Sequence, residues 1–188
     1  MKTIDAENNF KKTNNRYILT AAFVIYLLVL SWAITFKCNF LVGDMFFGYR
    51  SITLIPFYIL SNNGVEMNEF LIEVVGNLLA FIPFGILVAL ADRKINLPRA
   101  TLYSAGLSLT FEVVQYIIAF GSSDITDIII NTLGGVTGYF VYTLIRKKLT
   151  EKKVNIILLP LIVAGTVLFI YGVVDTALVF DKYFLFNL

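Results

Sequence analysis

The stretch FLIEVVGNLLAFIPFGILVALA, Phe70–Ala91, decides the fold, because Glu73 is its single charged residue. A helix that crosses a membrane needs about 20 mainly apolar residues, since about 30 Å of hydrocarbon is covered at about 1.5 Å per residue. Working outward, four more windows meet that length: Ile18–Phe36 without a charge, Leu102–Phe120 with only Glu112, Ile125–Ile145 with only Asp127, and Val154–Phe180 with only Asp175. Ile18–Phe36 follows Lys11, Lys12 and Arg16, as a signal peptide would. Its apolar core, however, exceeds the roughly 7–15 residues of a signal h-region, and no small-residue cleavage site follows. It reads as an uncleaved first span.

Composition agrees. Of 188 residues, 58% are hydrophobic and 15% charged, against about 45–50% and about 25% in a soluble domain. A disordered chain, a nucleic-acid-binding module and an ordinary soluble enzyme are excluded. The chain has no His and one Cys, Cys38. That removes intramolecular disulfides, Cys/His zinc sites, Ser-His-Asp or Cys-His nucleophiles and histidine relays. Chemistry is left to carboxylates, amides, hydroxyls and Arg or Lys. The fold expected is an all-α integral membrane protein of five spans. It divides into an N-terminal segment 1–17, a core 18–145 and an additional span 154–180.

Twelve of the fifteen Lys and Arg fall in three alternate segments: Lys2, Lys11, Lys12 and Arg16; Arg93, Lys94 and Arg99; Arg146, Lys147, Lys148, Lys152 and Lys153. The intervening segments hold Lys37, Arg50 and Lys182. The positive-inside rule then puts the N-terminus in the cytoplasm and the C-terminus outside. In the first outer loop, Ile52–Leu60 (ITLIPFYIL) is too short to span and contains Pro56. It fits a re-entrant segment buried by protein or an amphipathic lid on the outer surface.

An ionisable side chain at the bilayer centre costs at least about 2.5–3.5 kcal/mol on insertion scales, so each one needs a partner or a purpose. With this topology Glu73, Asn77, Glu112, Gln115, Asp124, Asp127 and Asn131 all fall in the outer half of the membrane. Their spacings are i,i+4 for Glu73/Asn77, i,i+3 for Glu112/Gln115 and i,i+3,i+7 for Asp124/Asp127/Asn131, so each set occupies one helix face. Three such faces can share a cavity open to the outer surface. Clustered acids repel one another or recruit a cation; the cluster permits a divalent cation, although no metal-ligand motif demands one and the sequence specifies no cofactor. Arg50 is the outward cation best placed to neutralise Glu112 or Asp127, or to hold a phosphate or carboxylate.

Each residue also has a structural reading. Asp124 fits a helix N-cap, with Asp127 in the favourable first turn. Glu73 is near enough to the interface to be solvated. Asn77 and Asn131 can serve as interhelical hydrogen-bonding glue, and Gly134-Gly135-x-x-Gly138 allows close helix packing. Pro83 interrupts the backbone ladder of the second span. The basic run Arg146–Lys153 reads as a topology anchor touching anionic lipid, with no nucleic-acid role.

Four segments carry a resemblance. RSITLIPF at Arg50–Phe57, NLLAFIPFG at Asn77–Gly85, LSLTFEVVQYIIAFG at Leu107–Gly121 and SDITDIIINTLGG at Ser123–Gly135 resemble, in order, the motifs of the VanZ family. These are an Arg-x-x-x-x-x-Pro-Phe loop, an Asn-containing Pro-kinked helix, a Glu-x-x-Gln helix and an Asp-x-x-Asp-x-x-x-Asn helix start. The likeness covers about half of the chain. Many family members carry Arg near position 122, where this chain has Ser122, which leaves Arg50 as the main outward cation. The resemblance implies a multi-pass protein of the bacterial plasma membrane and resistance to teicoplanin, a lipid-tailed glycopeptide, without altered peptidoglycan termini. It implies no particular reaction.

Three functions follow. The first is a resistance factor whose headgroup site in the outer leaflet meets membrane lipid, a lipid-linked cell-wall precursor or the lipoglycopeptide itself. Its ligand residues would be Arg50, Glu73, Asn77, Glu112, Gln115, Asp124, Asp127 and Asn131. The second is a membrane enzyme acting on such a precursor or headgroup, with Glu112 or Asp127 as the candidate general base. The third is a lipid or small-molecule transporter, for which an intramembrane polar cluster is usual, although no inverted repeat is evident.

Overall fold

The computed structural model describes residues 2–35, 49–58, 67–118, 120–150, 153–154, 156–168 and 170–171. Lys37, Asp175 and Lys182, part of the first loop, and the end of the Val154–Phe180 window lie outside them. The described elements are α1 (Lys2–Thr35), β1 (Tyr49–Thr53), α2 (Met67–Ala91), α3 (Leu97–Ile118), β2 (Phe120–Asp124) and α4 (Ile125–Lys148). A shorter apolar helix, α5 (Ile156–Leu168), follows.

The helix boundaries differ from the apolar windows for local reasons. α1 extends N-terminally through the polar segment that precedes its apolar stretch. α3 starts at Leu97, five residues before the hydrophobic window, because Asn96 accepts the Arg99 N–H at 3.2 Å as an N-cap and Pro98 lacks only a first-turn donor the helix does not need. It ends at Ile118, and Phe120, expected in the helix, enters β2.

Among the described residues three helical stretches are long and apolar enough to cross a membrane: Tyr17–Ile34, Phe70–Ala91 and Ile125–Lys148. α3 has spanning length at 22 residues, but Ser104, Ser108, Glu112 and Gln115 lower its mean hydropathy. These polar residues are all buried. Apolar residues fill both the core and the exterior: Ile72 and Leu102 are 74% and 67% exposed, whereas the polar Glu112 and Asn131 are 3% and 0% exposed. Such an exterior suits hydrocarbon, where polar groups must be satisfied within the protein.

Neighbouring helices alternate in direction. Phe23 packs on Phe84 at 6.1 Å while Tyr26, one turn on, donates its hydroxyl to the Ala80 carbonyl, so α1 and α2 are antiparallel. Ser104, Ser108 and Glu112 meet Gly135, Asn131 and Asp124 in turn, so α3 opposes α4. α2 and α4 run parallel, Leu78 and Ile82 meeting Gly134 and Gly138 in the same order, and their backbones touch. A Cβ on Gly85 would lie 1.9 Å from the Gly135 carbonyl oxygen, one on Gly134 2.4 Å from that of Leu78, and one on Gly138 2.0 Å from that of Ile82. Small residues permit this approach, which gains van der Waals contact where lipid leaves no hydrophobic drive between helices. Beside the seam, the Phe81 ring meets Phe84 and Phe111 edge-on at 5.9 and 6.2 Å.

The first loop supplies a strand. β1 pairs in parallel with β2, with Arg50 opposite Gly121 and Thr53 opposite Asp124. Parallel strands need a crossover, here α2 and α3. The segment Ile52–Leu60 therefore opens in a strand and runs into a turn at Ile55–Tyr58, and Ile59 and Leu60 lie outside the described residues. Ile52, Leu54 and Ile55 are exposed.

Candidate functional site

Alternating helix direction carries the polar residues of α2, α3 and α4 to one end of the bundle. At the opposite end, Arg146 donates to the Arg93 carbonyl at 2.9 Å, joining the basic loops that follow α2 and α4.

Glu112 is the hub of the polar end. Its Oε2 accepts the Asp124 backbone N–H at 2.9 Å, and its backbone carbonyl accepts the Ser123 hydroxyl at 2.8 Å. One residue thus fastens α3 to the start of α4. Asp124 caps α4, its carboxylate accepting the Thr126 N–H at 2.7 Å, so its structural reading holds. Asp127, one turn in, accepts from Asn77 Nδ2 at 2.8 Å and links α4 to α2. Asn131 donates to the Ser108 hydroxyl at 2.9 Å; its Oδ1 is buried without a hydrogen-bond partner among the described residues. Gln115 donates to the Ile34 carbonyl at 2.9 Å, binding the end of α1. Glu73 is half-buried on α2, one turn before Asn77.

Arg50 is placed differently from the expectation. Its guanidinium donates to the Ile117 carbonyl at 3.1 Å and lies 5.8 Å from the centroid of the Tyr116 ring, within cation–π range. Among the described residues it forms no ion pair with Glu112 or Asp127. The pairing of β1 with β2 sets it over the end of α3, and there the last-turn carbonyls of the helix attract a cation. Gln115 and Asn131 are likewise turned into the bundle and act as ties.

A cavity of about 270 Å³ adjoins this end. Ile52 and Leu54 of the ribbon, Leu109 and Val113 of α3, and Ile125 and Ile128 of α4 wall it with hydrocarbon; Glu112 and Asp124 reach its side and Tyr116 its rim. The opening expected to be polar is apolar, because Glu112 and Asp124 turn their carboxylates to backbone N–H groups at the start of α4. Among the described residues no three His, Cys, Asp or Glu side chains are grouped to hold a metal ion.

Some contributors escaped the sequence reading. Thr126 is buried and accepts the Phe57 N–H at 3.0 Å, holding a non-glycine residue at φ 57°; Phe57 also meets Phe70 edge-on at 6.5 Å. No spacing signal marks Thr126. Ser104 and Ser108 could have been found, since with Glu112 they continue one face at i, i+4 and i+8.

The family profile described as VanZ/LLP1 matches residues 23–146. The chain belongs to this family. Protein VanZ of Enterococcus faecium is 36% identical over 132 residues, covering 70% of this chain and 77% of that relative. No solved structure matches the chain. The matched residues take in the Glu112 hub, the Asn77–Asp127 bridge and Arg50.

Proposed function

We propose that this VanZ-family chain is a plasma-membrane protein that protects against teicoplanin through a headgroup site in the outer leaflet. The observation that carries this reading is the separation of charge between the two ends of the bundle: buried acids and amides at one, Arg93 and Arg146 joined at the other. With the basic end cytoplasmic, α1 to α4 cross in alternation, α5 begins a fifth span, and Glu112 lies beneath the outer surface. Its carboxylate, shielded by hydrocarbon and fixed by the start of α4, offers an acceptor to a hydroxyl or ammonium of an entering headgroup, while Arg50 waits at the rim for an anion. Membrane lipid, a lipid-linked wall precursor and the lipoglycopeptide all combine such a head with a hydrocarbon tail.

Substitution of Glu112 tests the reading. Glu112→Gln keeps volume and hydrogen-bonding capacity and removes the charge. Protection against teicoplanin is expected to disappear at unchanged membrane abundance, with vancomycin as comparator. Full protection by the well-expressed variant would sink the charged site. Topology has its own check: a cysteine at Ser122 is expected to react with an impermeant reagent from outside, and one at Lys152 is not.

A further inference from the structure

The cavity beside Glu112 has a shape and chemistry of its own. From Tyr116 at its outer end to Leu109 its lining follows α3 for about 10 Å at about 1.5 Å per residue, and Ile52, Leu54, Leu109 and Val113 are all exposed, so it is a groove on the hydrocarbon-facing surface. Its volume of about 270 Å³ corresponds to on the order of nine methylene-sized groups if each takes about the ~30 Å³ share of a water. Leu109, Val113, Ile125 and Ile128 line it from the helices and Leu54 from the ribbon. It is apolar, and its lining on α3 runs along the helix, the direction that lipid chains take. At its mouth Tyr116 both lines the cavity and carries the Arg50 guanidinium 5.8 Å from its ring centroid. A fixed cation therefore stands one side chain away from a hydrocarbon slot.

We infer that this slot takes one hydrocarbon chain of an anionic amphiphile, whose phosphate or carboxylate rests on Arg50. The inference rests on the outer-leaflet reading and specifies its ligand class: a single chain held along α3 with the anion at the rim. Burying the chain supplies affinity in proportion to apolar area, although only the difference between slot and bilayer counts. The guanidinium supplies selection for an anion, by charge-assisted hydrogen bonds. The carboxylates at the slot's side repel an anion that slips deeper, which fixes the register of the head.

The test uses the full chain in phosphatidylcholine vesicles and a dodecyl phosphate bearing a terminal diazirine; the alcohol of the same chain is the neutral probe. After photolysis, adducts between Leu109 and Tyr116 are quantified against adducts on the lipid-facing side of α2. The phosphate is expected to enrich the α3 adducts. Arg50→Gln should lower that enrichment about tenfold, the loss of one charge-assisted contact, and leave the alcohol unaffected. Leu109→Trp, which fills the groove at the end away from Arg50, should abolish it for both probes. If Leu109→Trp fails to fold, Leu54→Asp on the exposed turn decides instead, and should likewise remove phosphate enrichment. Equal enrichment in wild type and Arg50→Gln, or in wild type and the slot-blocking variant, overturns the proposal. Competition separates the sources. Displacement by phosphatidylglycerol assigns the slot to bulk lipid, displacement by a polyprenyl phosphate assigns it to a lipid carrier, and displacement by neither overturns it. Loss of slot labelling alongside a protein whose protection still depends on Glu112 would remove the tail and keep the headgroup site. Intact labelling with full protection by Glu112→Gln would do the reverse.

Discussion

The two faces of α4 are joined to their neighbours by different means. Toward α2 it presents Gly134 and Gly138, where backbones meet with no room for a methyl group, and nearer its cap Asp127 adds a single hydrogen bond to Asn77. Toward α3 it presents Asn131 and, at its cap, Asp124, and the joint is made of hydrogen bonds to Ser108 and Glu112. In hydrocarbon both solutions are open to a helix pair. They differ in what they tolerate: a steric seam is spoiled by adding atoms, a bonded one by removing a partner. Polar atoms open to chemistry lie on the second and at the cap end of the first, so fold and function are expected to separate between the glycine seam and the bonded joints.

The largest effect should come from Gly138→Leu. Its Cβ would stand 2.0 Å from the Ile82 carbonyl oxygen, against backbone that cannot swing aside, and overpacking of this kind costs about 1–3 kcal/mol or more. Thermal unfolding in detergent should show a clear fall in Tm; an unchanged Tm would mean that the α2/α4 seam is looser than described. An intermediate effect is expected for Asn77→Leu, which strips a partner from the buried Asp127 carboxylate at about 1–3 kcal/mol. Adding Asp127→Leu should recover part of that loss, since a pair made wholly apolar leaves nothing stranded. A double variant less stable than Asn77→Leu alone would contradict the bridge.

The smallest effect on stability belongs to Asn131→Leu. It removes one interhelical bond to Ser108, worth on average about 0.6 kcal/mol in a membrane, and retains the volume. If function resides on the bonded face, protection should drop far more than Tm, measured side by side in one preparation. A drop in Tm as large as that of Gly138→Leu would erase the distinction between the faces.

Much of this was legible in the sequence because hydrocarbon imposes a simple rule. Apolar runs mark helices, and polar interruptions such as Asn77, Glu112 and Asn131 must face protein. Gly134, Gly135 and Gly138 were readable as a packing stripe for the same reason. The β1–β2 ribbon was not, since its strands are separated by two helices and YRSIT and FGSSD carry no alternating pattern. Missing the ribbon meant missing the position of Arg50, which depends on its register opposite Gly121. The apolar character of the cavity was hidden too: spacing shows that Glu112 and Asp124 share a region, but not that each spends its carboxylate on backbone N–H groups at the start of α4.

The parallel course of α2 and α4 has a consequence for biogenesis. A ribosome delivers α2, then α3, then α4, and the seam in which backbones touch joins the first of these to the last. Until α4 enters, Gly85 faces lipid where Gly135 will sit, and Ser108 and Glu112 on α3 lack the groups that receive them. The nascent chain thus carries a polar stripe into the bilayer one helix ahead of its complement. A single late segment both closes the bundle and covers that stripe, so a chain interrupted before Ile125 would leave Ser108 and Glu112 without the groups that receive them.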